Sequence, residues 1–167
     1  MTQLEPPAVP AAVETSYRLW LATLAAGVLS GFAAFFVLDE LVAASGGEPL
    51  PELPPGEAWT ATLLTGVFAL LVTAAFVALA LLVVNRMRAG RRWARLVLTV
   101  LGGLTVVYGL FGLGDTLALF GAGLAGALFA LLSVLQLALL IGAIFFMYHR
   151  DAAAYFSGPA GPPASGA

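Results

Sequence analysis

Few charged side chains occur in this sequence, and the densest group of them is a run of arginines. The run Asn85-Arg86-Met87-Arg88-Ala89-Gly90-Arg91-Arg92-Trp93-Ala94-Arg95 contains five of the seven basic residues. A guanidinium stays charged at any physiological pH, so it does no proton transfer; it binds carboxylates and phosphates. Apolar runs flank this stretch on both sides, so it reads as a turn between two membrane helices. Arginine beside a span marks the cytoplasmic side and meets anionic lipid headgroups there. If the stretch is helical, Arg88, Arg91 or Arg92, and Arg95 recur at three-to-four spacing and form one basic face. Trp93 is placed at headgroup level. The expected partners of Arg86, Arg88, Arg91, Arg92, Arg95 and Trp93 are membrane lipids, with a docking surface for a cytoplasmic protein as the alternative. Nucleic acid is not expected, because the patch is held at the bilayer with no accompanying soluble fold.

No other constellation is readable as a reactive centre. His149 is the only histidine, which rules out a multi-histidine metal site. Glu48, Glu52 and Glu57 have no histidine near them for a zinc site. Asp39 and Glu40 are adjacent, so on a helix they do not face one another. Cysteine and lysine are absent, which removes thiolate chemistry, disulfides and a P-loop lysine. No serine stands in a nucleophile-elbow pattern. No catalytic residue, cofactor or metal is therefore expected, and the chain is not expected to be an enzyme. Gln136 is the one polar side chain near mid-span that cannot satisfy itself. Its amide is expected to face another helix, with a threonine or Tyr108 as partner.

The elements that hold these residues follow from composition. The chain has 167 residues, 61% of them hydrophobic and only 10% charged. A soluble domain carries about 25% charged residues, so lipid is the expected solvent. Leu19 to Leu38 is free of charge, and at about 1.5 Å per residue such a run crosses one hydrocarbon core. Further spans are expected from about Trp59 to Val84, Leu96 to Leu113, and Leu124 to Tyr148. A turn, with a short interfacial piece, is expected across Gly114 to Gly123. The expected architecture is all-α: a polytopic four-helix transmembrane bundle over residues 17–156. Disordered cytoplasmic tails are expected at residues 1–16 and 157–167. Helices are required because an uncharged run without two-residue alternation cannot satisfy its backbone as a barrel strand.

The topology has one internal test. With both termini cytoplasmic, Arg18, Arg86, Arg88, Arg91, Arg92, Arg95 and Arg150 all fall on the inner side. Asp39, Glu40, Glu48, Glu52, Glu57 and Asp115 fall outside. Tyr17, Arg18 and Trp20 are expected to anchor the first span at the interface. Val42-Ala43-Ala44 could pass as a signal-peptide cleavage site, but the preceding apolar run is longer than a usual signal core and its flank is acidic, so a retained helix is expected. Gly27 and Gly31, Gly102 and Gly103, and Ala138 and Gly142 are the small residues expected to let helices approach.

The segment Met87-Arg88-Ala89-Gly90-Arg91-Arg92-Trp93-Ala94-Arg95, followed by Leu-Val-Leu-Thr, resembles the inner loop of small four-span membrane proteins of actinobacteria. The chain is also similar to them in closing its last segment with Tyr155-Phe156. The resemblance covers roughly residues 17–156. It implies the four-span topology and a basic loop matched by Arg88, Arg91, Arg92 and Arg95, and it implies no catalytic residue.

No ionisable group lies in the central part of any span, whereas proton-coupled carriers need one at depth. The expected role is a non-enzymatic assembly or accessory component of the cell envelope, partnered by another membrane protein or by itself. A small oligomeric channel or transport-related protein is the alternative.

Overall fold

The computed structural model describes residues 10–44, 46 and 54–150. Among them there is no strand, and four helices are long and apolar enough to cross a membrane. The spans are α1 (Ala11–Phe35), α3 (Pro55–Arg88), α4 (Arg92–Phe111) and α6 (Gly123–Met147). Two short helices, α2 (Leu38–Ala44) and α5 (Leu113–Ala118), lie beyond the ends of α1 and α4. A 3-10 turn at Leu119–Gly121 leads into α6. The expected four-helix transmembrane architecture is therefore present.

Local chemistry sets the boundaries. Pro10, itself in an extended conformation, is the N-cap of α1, and its carbonyl accepts from Val13 and Glu14 N–H at 3.0 and 3.1 Å. Residues 11–16, expected in the tail, form the first turns of α1 instead and bury Ala12, Val13 and Ser16. No proline follows Pro10 in this stretch, so nothing stops the helix from starting early. The α1 ladder tightens at Phe36 and Val37, whose N–H groups donate to Ala33 and Ala34 carbonyls, and α2 then carries Asp39 and Glu40 into solvent-exposed positions. Pro55 occupies the first turn of α3, where its missing N–H costs nothing. Glu48, Glu52, Tyr155, Phe156 and the tail beyond lie outside the described residues.

The principal helix pair is α1 with α6. They run antiparallel: Ser16 meets Ala143, Leu19 meets Gly142, and Ser30 meets Ser133. On α1 the seam is Ala12, Ser16, Leu19, Thr23, Ala26, Ser30 and Ala33, continued by Val37, and all but Leu19 are buried. The steps alternate between four and three residues, the 3.5 period of a coiled-coil seam. Gly126, Ala130, Ser133, Leu137, Leu140, Ile144 and Met147 repeat the pattern on α6. Most α1 members are small, so the backbones approach closely, which is how helices associate where lipid removes the hydrophobic drive.

α4 follows α6 as far as Gly109, where a Cβ would stand 3.2 Å from the Leu137 side chain, whereas α3 closes on the bundle at one end only. Ala12, Val13, Trp20, Val83, Val84, Met87, Ala94, Leu98, Leu140, Ala143 and Met147 form one buried cluster drawn from all four spans. Gly102 brings α4 against this cluster: a Cβ there would stand 3.0 Å from the Trp20 ring and 3.1 Å from Ile144. At the opposite end α3 is exposed over nearly all of residues 59–79. Trp20 is not at the interface with Tyr17 and Arg18: it is 7% exposed and belongs to the core, because its ring fills the space that Gly102 leaves. Trp59, 66% exposed, and Trp93, 46% exposed, hold the boundary positions.

Only part of the expected small-residue set packs. Gly27, Gly102 and Gly142 each face a side chain of another helix, whereas a Cβ at Gly31 or Gly103 would meet nothing within 4 Å. Ala138 is exposed. Gly126, which its sequence context does not single out, lies under the Leu119 carbonyl and has no room for a Cβ.

Candidate functional site: the arginine end of the bundle

The turn between α3 and α4 is three residues long. Ala89 caps α3, Gly90 takes φ +76°, and Arg91 opens α4. Arg91 N–H donates to the Arg86 carbonyl at 3.2 Å, and Gly90 N–H donates to the Met87 carbonyl at 2.9 Å. This pair of bonds is a Schellman motif, which uses up helix-end carbonyls and calls for a left-handed residue at the Gly90 position. The single basic helical face does not form. The helix breaks at Gly90, so Arg86 and Arg88 belong to the end of α3, and Arg92 and Arg95 to the start of α4.

Arg88 and Arg95 turn back onto the bundle. Arg88 pairs with Glu14 of α1 at 3.0 Å, and its guanidinium lies 4.8 Å from the centre of the Tyr17 ring. Glu14 also holds Arg18 at 3.4 Å, one turn along α1. Tyr17 donates its phenol to Asn85 Oδ1 at 3.2 Å, which ties α1 to α3 a second time. Arg95 lies 4.1 Å from the centre of the Tyr148 ring at the end of α6, and the Tyr148 phenol is 3.0 Å from Thr99 Oγ1. Each cation thus sits on an aromatic face, an arrangement worth about 0.5–1 kcal/mol at exposed sites and more when desolvated. Arg86, Arg91 and Arg92 are exposed on the outer surface of the turn, with Trp93 beside them.

All seven arginines stand at one end of the bundle. Arg18 lies near the start of α1, Arg86 and Arg88 end α3, Arg91, Arg92 and Arg95 start α4, and Arg150 follows α6. Asp39, Glu40, Glu57 and Asp115 stand at the other end, all exposed. Glu14 is the acid that interrupts the basic end among the described residues.

Gln136 does face another helix, as expected, but not through the expected bonds. Its amide lies against Gly27 of α1, where a Cβ would stand 2.9 Å from Nε2. Tyr108 is 82% exposed and turned away from the seam. Thr23, Thr99 and Thr105 return their hydroxyls to the carbonyls of Leu19, Arg95 and Leu101 on their own helices. The polar bonds across the seam come instead from Ser16, which donates to the Ala143 carbonyl at 2.8 Å, and from the Ser30–Ser133 hydroxyl pair at 3.1 Å. Residue type alone does not mark these serines, because a serine can satisfy itself locally. The 3.5-residue seam spacing singles out Ser16 and Ser30 on α1 and Ser133 on α6.

No group of three or more histidine, cysteine, aspartate or glutamate side chains that could hold a metal ion occurs among the described residues. His149 lines a shallow, open hollow with Ile144, Phe145, Tyr148 and Arg150 at the end of α6. What the fold and this end define is a multi-pass membrane protein whose basic end is bound together by arginine–aromatic contacts. Comparison of the chain with protein-family models, with curated proteins and with solved structures found no match in any of the three.

Proposed function

We propose that this protein is a non-enzymatic assembly component of the cell membrane, docking a further membrane helix along the outer part of α3. One observation carries the reading. Thr62, Thr65, Gly66, Ala69 and Thr73 fall on one face of α3, which continues past the exposed Phe76 to Ala80, Val84 and Met87 nearer its inner end. Val84 and Met87 are fully buried in the bundle, but the stripe above them is uncovered, with four of its five residues exposed. A Cβ at Gly66 meets nothing within 4 Å, and no hydrogen bond among the described residues engages the three threonine hydroxyls. The opposite face carries Leu64, Phe68, Leu71, Leu79 and Leu82, bulky and exposed, as suits lipid. A face that is small and hydroxylated where its inner end already packs fits a helix better than it fits acyl chains.

The arginine end is assigned to the cytoplasmic side by the positive-inside rule, which puts both termini inside the cell. The similarity of the arginine turn to actinobacterial four-span proteins belongs to the same proposal. The test is cross-linking in native membranes. The chain has no cysteine of its own, so Ala69→Cys and Leu71→Cys can be compared directly. Adducts are expected from the first variant and not from the second, and mass determination of the gently extracted complex then identifies the partner. A monomer without adducts at native expression would overturn the reading. A closed ring that passes ions in proteoliposomes would transfer the assembly to the channel reading.

A further inference from the structure

Arg86, Arg91 and Arg92 are all exposed, and the Schellman turn fixes the backbone that carries them. Arg92 and Trp93 also begin the lipid-facing side of α4. One turn along from Arg92 comes Leu96, then Val100, Leu104 and Val107, exposed by 65, 59, 66 and 52%. The buried side of α4 is the other one, formed by Ala94, Leu98 and Gly102. A cationic patch therefore runs without interruption into an apolar strip that faces the hydrocarbon, with a tryptophan at the junction.

We propose that Arg86, Arg91, Arg92 and Trp93 form a binding site for an anionic phospholipid of the adjoining leaflet. Guanidinium groups suit the phosphate, which accepts their N–H donors in a planar fork. One acyl chain lies along Leu96, Val100, Leu104 and Val107. The strip is what selects a lipid over a soluble phosphate compound: the head alone would forgo the apolar contact. The tryptophan ring sits where the headgroup region meets the chains, the position that indole favours. This site is independent of the α3 stripe and of any partner docked there.

The experiment is native mass spectrometry of the detergent-purified protein titrated with phosphatidylglycerol and with phosphatidylcholine of the same chains. Arg91→Gln/Arg92→Gln is compared with Arg18→Gln/Arg150→Gln, which removes the same charge from the same end. Each arginine near a membrane surface contributes a factor of roughly five in anionic-lipid affinity, so the first variant should weaken phosphatidylglycerol binding by about thirtyfold. The second should change it by much less. Equal binding of the two lipids, equal loss in the two variants, or inorganic phosphate binding as tightly as phosphatidylglycerol would overturn the proposal. A second measurement needs no charge variant. Brominated phosphatidylglycerol diluted into phosphatidylcholine vesicles should quench the part of the fluorescence that Trp93→Phe removes more strongly than brominated phosphatidylcholine at the same dilution. Equal quenching would count against the site.

Discussion

Gly27 of α1 lies directly against the side-chain amide of Gln136 of α6, so close that a Cβ on the glycine would stand 2.9 Å from Nε2. The contact sits between the Ser16–Ala143 bond and the Ser30–Ser133 pair on the same seam. A bulky residue at position 27 has to move the Gln136 side chain or part the two helices. Gly27→Leu should therefore destabilise the bundle by about 1–3 kcal/mol, the usual range for overpacking. Gly27→Ala should cost less, because the group it meets is the end of a flexible side chain. Unfolding in mixed micelles measures both.

The two kinds of polar group in this seam should respond differently to removal. Ser16 is fully buried and donates to a carbonyl of the facing helix. Ser16→Ala should cost about 0.6–1.7 kcal/mol, the range found for hydrogen bonds between membrane helices. Gln136 makes no bond to Thr23, Thr99, Thr105 or Tyr108. Gln136→Leu keeps the volume and should leave stability within about 0.5 kcal/mol, as for a change that breaks no named interaction. A large loss for Gln136→Leu and none for Ser16→Ala would reverse this assignment of roles.

At Gly90 the backbone is in the left-handed region, φ +76°, while the turn it closes is only three residues long. An L residue there should cost about 1–2 kcal/mol, and a β-branched one more. Asparagine tolerates this conformation better than other side chains. The order of thermal stability should be Gly, Asn, Ala, Val. A flat series would mean that the α3–α4 turn readily takes another shape.

The arginines should also govern orientation. Replacing Arg88, Arg91, Arg92 and Arg95 with neutral residues removes most of the basic charge beside two spans and should scramble the topology. Single cysteines placed in the 85–95 segment report the result by labelling from either side. If that segment stays wholly on one side in the variant, other features set the topology.

The Glu14 carboxylate bridges Arg18 and Arg88, yet both cations are well exposed. Glu14→Gln should cost no more than about 1 kcal/mol, and the cost should shrink as salt is added. Loss of the whole fold in this variant would show that the pair does more than an exposed ion pair can.

Several features are legible in residue order because they depend on local sums. Four apolar runs, each long enough for the hydrocarbon core, dictate four helices, since an unpaired backbone is too costly in lipid. The segregation of seven arginines to one end follows from the same runs, because each arginine adjoins a span boundary. Gly90 as the breaker between Arg88 and Arg91 could be anticipated from the loop, but its consequence for the basic face could not: that depended on which side of the break each arginine fell. Trp20 illustrates the limit. Its position beside Tyr17 and Arg18 suggested the interface, and only the crossing of α4 at Gly102 draws the ring inside.

Composition and run length are enough to establish that four helices among the described residues are long and apolar enough to cross a membrane, and which end of them carries the positive charge. No partner helix is needed to state any of these. Packing decided the rest: which small residues meet a neighbour, which arginines stack on Tyr17 and Tyr148, and which serines bond across the seam. It also decided that α3 leaves the bundle with its hydroxylated face unmet. In lipid every face of an apolar helix is equally soluble, so hydropathy says nothing about which face meets protein; that is settled only by how closely two backbones fit.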